Sequence, residues 1–181
     1  MKRIIAIVAL ACVTFFSFAQ TSSVLRPRIE IAQVFSQEHN TEMEVFYMND
    51  ETPRTYYLSL GHLGIGSDVV QIEIDPLYEL FIPLGGNMEE TIATLEDIKA
   101  LYKMPRLEQS EIVGNFSLLY PTDDPVNVTV TSRRFIFTKL LEFSIPTPGS
   151  ESVVRATHIN RSSFNSLLSG VKLYAKLHPK E

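Results

Sequence analysis

The side chains best able to do chemistry are scattered along the chain. The four histidines are His39, His62, His158 and His178, and no two stand at HxH, HxxH or HxxxH spacing. A zinc site built on one element needs two imidazoles on one face, so this spacing gives no metal motif. Gly61-His62-Leu63-Gly64-Ile65-Gly66 holds three of the eight glycines. It matches neither GxGxxG nor GxxxxGK[ST], and it reads as a flexible hairpin connection rather than a phosphate cradle. No G-x-S-x-G elbow occurs, so a serine hydrolase would need serine, histidine and carboxylate to converge in space. Asp123-Asp124 stands in a turn before Pro125, and Glu89-Glu90 in the first turn of a helix, where acids offset the helix dipole. Arg133-Arg134 is a basic pair on a strand, where its two side chains point to opposite faces.

The one cysteine, Cys12, lies in an apolar run from Ile4 to Phe18 that follows Lys2-Arg3 and ends at Ser17-Phe18-Ala19. A basic start, a short apolar run and small residues at a cleavage point make a secretory signal over residues 1–19. That run is too short for a comfortable membrane span, so the chain is not expected to be an integral membrane protein. The Phe-Ala-Gln end of the signal resembles those of bacterial envelope proteins, and we expect export to a periplasmic or extracellular site. Without the signal the chain has no thiolate and no disulfide, and about 160 residues can hold a core without staples. The formal net charge is −5, and it becomes −7 without Lys2 and Arg3. An acidic chain is a poor nucleic-acid binder, and no cofactor motif is present.

The elements that must position any site are mostly strands. Val70, Ile72 and Ile74 alternate with Val69, Gln71 and Glu73, and Val126, Val128 and Val130 alternate with Asn127, Thr129 and Thr131. A period of two with β-branched residues marks strands with one wet face. Further strands are predicted over 29–35, 44–48, 54–60, 77–82, 112–119, 135–145 and 152–159, with turns at 64–67 and 83–86 among others. Two apolar stripes at helical spacing break the pattern. Ile92, Leu95, Ile98 and Leu101 follow a capping box of Asn87 and Glu90. Phe164, Leu167, Leu168, Val171, Tyr174 and Leu177 follow a cap at Ser162 or Ser163.

The two helices align at an offset of 73, which sets Asn87 on Asn160, and Pro53 matches Pro125 at 72. Two pseudo-repeats, 38–105 and 111–179, are therefore read into a single domain of residues 20–181. The predicted fold is α+β in two layers, an antiparallel sheet with both helices on one face. The core should take Leu95, Ile98, Leu101, Leu168, Val171, Val70, Ile72 and Val128. The other face of the sheet must then be wet or occupied. Alternation places Tyr57, Gln71, Glu73, Asn127, Thr129, Thr131 and Arg133 there. That hydroxyl and amide surface suits a protein or a polar glycan of the cell envelope. The expected function is non-catalytic binding through this face. The alternatives are a hydrolase with spatially convergent residues, to be recognised by a pocket joining His62 or His158 to a carboxylate and a serine, and a structural subunit with an unpaired strand edge.

Overall fold

The computed structural model describes residues 27–36, 40–67, 73–75, 78–147 and 149–179. Residues 1–19, expected to be a signal, and Val70, Gln71 and Ile72 lie outside the described residues. The chain is α+β: the described residues form ten strands in one antiparallel sheet and two α-helices. The strands are β1 (Arg28–Ser36), β2 (Thr41–Met48), β3 (Tyr56–Leu60), β4 (Leu63–Ser67), β5 (Glu73–Asp75), β6 (Tyr78–Gly85), β7 (Gln109–Leu118), β8 (Pro125–Phe135), β9 (Thr138–Thr147) and β10 (Ser150–Asn160). Helix α1 (Met88–Ala100) runs into a 3-10 turn at Leu101–Lys103, and α2 (Arg161–Leu177) ends the fold.

The sheet order is β1-β2-β3-β6-β7-β8-β9-β10-β4-β5. Only Gly61 and His62 link β3 to β4, although the two strands stand third and ninth in that order. From Leu60 to Leu63 the chain spans at most about 11 Å, whereas six strand spacings in a flat sheet cover about 29 Å. The sheet therefore curls into a half-barrel. Its two sides meet where the Thr41 and Thr157 hydroxyls lie 2.9 Å apart. Gly64 to Ser67, predicted as a turn, is most of β4, because pairing with β10 and β5 supplies the ladder that local glycine-rich sequence does not favour.

Within this order lie two four-stranded meanders, β1-β2-β3-β6 and β7-β8-β9-β10, each leading into a helix. Asn87 Oδ1 accepts from Glu90 N at 2.9 Å and caps α1, while Glu90 Oε2 accepts from Gly86 N at 2.7 Å. The cap of α2 is Asn160, which accepts from Ser163 N at 2.7 Å, in place of the predicted serines. By topology β2 corresponds to β8 and β3 to β9. The β4–β5 excursion breaks any constant offset, so Pro53, ahead of β3, and Pro125, opening β8, do not occupy matching places.

Period-two alternation sends Met43, Val45, Tyr56, Leu58, Leu60, Leu80, Ile82, Val128, Val130 and Phe143 into one buried cluster. Leu95 and Ile98 of α1 and Leu167, Leu168 and Val171 of α2 join it. Two glycines permit close approach: a Cβ on Gly170 would lie 3.0 Å from Ala32 Cβ, where α2 crosses β1, and one on Gly114 would lie 2.8 Å from Val128 Cγ2 and 3.0 Å from Leu80 Cδ1. Leu101, predicted as core, is only half-buried, for a reason that lies in the neighbouring groove.

Candidate functional site

The face opposite the main core is not the uniform wet surface the sequence predicts. Over β2, β3 and β6 it carries a second apolar cluster of Phe46, Met48 and Phe81, with Tyr57 and Tyr120 packed against it. Arg28, at the start of β1, lies across this cluster. Its guanidinium carbon sits 4.6 Å from the Phe46 ring centre and 5.3 Å from that of Phe81. Arg28 grips Glu79 with both terminal nitrogens, at 3.1 and 3.2 Å, and Glu44 at 3.1 Å. It also donates to the Leu119 carbonyl. Burial pushes the Glu44 carboxyl above the usual carboxylate range, and Arg28 only partly offsets this. Tyr57 stacks on Phe46 at 5.8 Å and donates its hydroxyl to Glu51 at 2.8 Å. It is thus half-buried in a local core, and Ser59 beside it is buried.

The remaining predicted residues divide. Asn127, Thr129, Thr131 and Arg133 do share one face of β8, as alternation requires. Thr131 is nevertheless buried. Glu142, opposite Thr131 in the ladder, joins Arg133 at 2.8 Å and His158 Nε2 at 2.9 Å. Burial pushes its carboxyl up, but the hydrogen bonds from His158 and Arg133 outweigh that and hold it below the usual range. Glu73 leaves the set. It pairs with Ile65, which pairs with Arg155, which faces the core residue Ile145. Ile74, expected inside, points the other way and is 49% exposed. The phase of β5 is inverted because it is set by register on β4, which the local alternation does not encode. Gln71 lies outside the described residues.

A polar cleft of about 80 Å³ does join a histidine, a serine and carboxylates: it is lined by Arg28, Glu42, Glu44, Ser59, Gly61, His62 and Glu79. Ser59 donates its proton to Glu79, which Arg28 already holds. The volume suits only a few water molecules. His62 Nδ1 is buried without a hydrogen-bond partner among the described residues, and the ring stands edge-on to Phe35 at 6.3 Å. Among the described residues no cluster of histidine and acid side chains is arranged to hold a metal ion, and no helix is long and apolar enough to cross a membrane.

A much larger concavity lies elsewhere. β6 and β7 pair only over Tyr78–Phe81 and Asn115–Leu118. Beyond that point both strands continue, β6 beside β3 and β7 beside β8, and the sheet splits between them. Gly114 marks the last close approach, since its missing side chain lets Leu80 and the Phe81 carbonyl come near. The split is an apolar groove of about 500 Å³. Ile82 and Pro83 form one wall, Ser110, Ile112 and Val113 the other, and Thr94, Asp97, Ile98 and Leu101 of the helical segment close the back. Leu101 is half-buried because it lines this groove. Thr94 spends its hydroxyl on the Leu84 carbonyl at 2.9 Å, which leaves Asp97, at the exposed rim, as the charged group. The volume lies within the range of ligand pockets. Among the described residues β7 has no strand partner on this side over Gln109–Gly114, so its backbone edge faces the groove.

Sequence reasoning missed the groove, although one residue signalled it. Pro83 interrupts the run Leu80 to Leu84, and a proline inside a strand marks a position where the ladder lacks a donor. The segment 83–86 was expected to be a turn; β6 in fact continues through Gly85. Comparison of the chain with protein-family models, with curated proteins and with solved structures finds no match.

Proposed function

We propose that this is an exported, non-catalytic interaction protein that takes an extended apolar segment of a partner protein into the split between β6 and β7. The observation that carries the reading is the interrupted ladder: two strands that, among the described residues, have no partner on their facing sides flank an apolar groove. An added strand would pair with the β7 edge through its backbone and bury alternate side chains against Ile82, Ile98 and Ile112, the usual logic of strand addition. An acyl chain would fill the volume but leave the backbone edge to water. The reading includes a two-layer fold with both helices on the inner face of the sheet, supported by the single buried cluster that α1 and α2 share with the strands. It also takes the two meander–helix units as products of a duplication, supported by the paired Asn87 and Asn160 caps.

The test uses residues 20–181, which contain every described element, and a displayed library of random linear peptides. Selection should enrich peptides with apolar residues at alternate positions. Val113→Arg, at an exposed position on the groove wall, should abolish their binding without changing the melting temperature. Selected peptides that bind the variant as well as the parent would refute the reading. The hydrolase alternative has one observation behind it, the shared cleft of Ser59, His62 and Glu79. Covalent labelling by a fluorophosphonate that disappears in Ser59→Ala would establish it in place of our reading.

A further inference from the structure

Three features that cost stability meet at one end of the sheet. The β8–β9 hairpin closes through Ile136 and Phe137, between the paired residues Phe135 and Thr138. Two-residue hairpin turns favour glycine, asparagine or aspartate, because their central residues need positive φ. Here the φ of 52° falls on Ile136, a β-branched residue for which that region is an outlier. The tip is also apolar: Phe135, Ile136 and Phe137 are 60%, 69% and 90% exposed. Single exposed apolar side chains are ordinary, but three in succession on a protruding turn are not. Directly below, Arg134 and Lys139 stand opposite each other in the ladder, where like charges repel.

More cations gather around this root. Lys103 and Arg106 come from the 3-10 turn and its exit, which are fastened to β8 by Ser132 Oγ donating to the Met104 carbonyl at 3.3 Å and Leu107 N donating to the Ser132 carbonyl at 2.8 Å. Arg133 precedes the tip. Arg161 follows Asn160, which pairs with Leu140. Among the described residues Glu108 and Glu142 are acids near this root, and Glu142 is engaged by Arg133. The chain as a whole carries −5, so this local excess of positive charge runs against its composition.

We propose that this end docks on an anionic phospholipid bilayer. Ile136 and Phe137 enter the boundary between headgroups and acyl chains, and the surrounding Lys and Arg side chains engage lipid phosphates. Apolar residues flanked by cations are the combination that gives interfacial binding, with each cation near an anionic surface adding to it. A protein partner fits the tip less well. A stable protein interface needs about 800 Å² from each side, which a two-residue turn does not offer, whereas a bilayer accepts a narrow wedge. The inference goes beyond the groove reading and rests on different residues.

The test is flotation of residues 20–181 with vesicles of phosphatidylcholine, with and without phosphatidylglycerol. The chain should float with the anionic vesicles, and added salt should release it. Phe137→Ser should weaken binding by about tenfold or more, from the lost burial of one aromatic side chain. Ile136→Gly relieves the turn and keeps the fold if Phe137→Ser proves unstable, and it should weaken binding by several-fold. The chain contains no tryptophan, so Phe137→Trp places a single reporter at the tip. Its emission should shift to the blue with anionic vesicles and be quenched by brominated acyl chains. No flotation with anionic vesicles, or flotation unchanged by Phe137→Ser, overturns the proposal. Self-association in solution that Phe137→Ser abolishes, without vesicle binding, would overturn it in favour of an interface between copies. Loss of flotation with groove peptides still bound would show the two readings to be separable.

Discussion

Removing Arg28 tests whether half of the outer face is a built-in core rather than a free surface. In Arg28→Ala the rings of Phe46 and Phe81 lose a cation at 4.6 and 5.3 Å, worth about 1 kcal/mol. Glu44 and Glu79 lose their shared partner. Truncating one side of a fully buried pair costs about 3–5 kcal/mol, but here the Arg28 side chain is 21% exposed and its partners a little less, so about 2 kcal/mol is appropriate after discounting for solvent. The total is about 3 kcal/mol at pH 7, or about 6–12 °C in Tm for a domain of this size. The pH dependence has a definite sign. The folded pKa of Glu44 is already raised by burial, and without Arg28 it should rise further. A carboxyl with a raised folded pKa favours the fold while protonated, and that contribution is lost as pH rises through the folded value. The deficit of the variant should therefore be largest at neutral pH and shrink near about pH 4, where carboxylates protonate. Urea unfolding followed by circular dichroism at the two pH values measures this. A loss under about 1 kcal/mol at pH 7, or an equal loss at both, would refute the reasoning.

Two other predictions concern the elements around the sites. Asn87→Ala and Asn160→Ala should each cost about 1 kcal/mol as lost N-caps, and the double variant about 2 kcal/mol if the two caps are independent; chemical denaturation would show a near-zero effect if either side-chain bond is not made. Glu142 has a depressed folded pKa, so its contribution is present above its unfolded value and lost as pH falls through the folded one. Glu142→Gln should flatten the acid limb of the stability curve, and unchanged steepness would show that its bonds to His158 and Arg133 do not stabilise the fold.

What the sequence determined is local. The two-residue period of β3 and β8 fixes which side chains share a face, since successive residues of a strand must point opposite ways. The stripes of α1 and α2 and the Asn87 cap are equally visible, because a helix satisfies its backbone within a few residues. What the tertiary structure decided is which segment lies beside which. The inverted phase of Ile74 and Glu73 follows from β5 pairing with β4. The conversion of the Gly64 stretch into a strand follows from its pairing with β10. Arg28, far from Glu79 in sequence, makes a second core where alternation alone gives a wet face. The groove exists only because two strands that pair at Phe81–Asn115 diverge afterwards. Pro83 marks one wall in the sequence, but nothing local names the strand that forms the other, because pairing partners are chosen by long-range register and by the curl that a two-residue link imposes on the whole sheet.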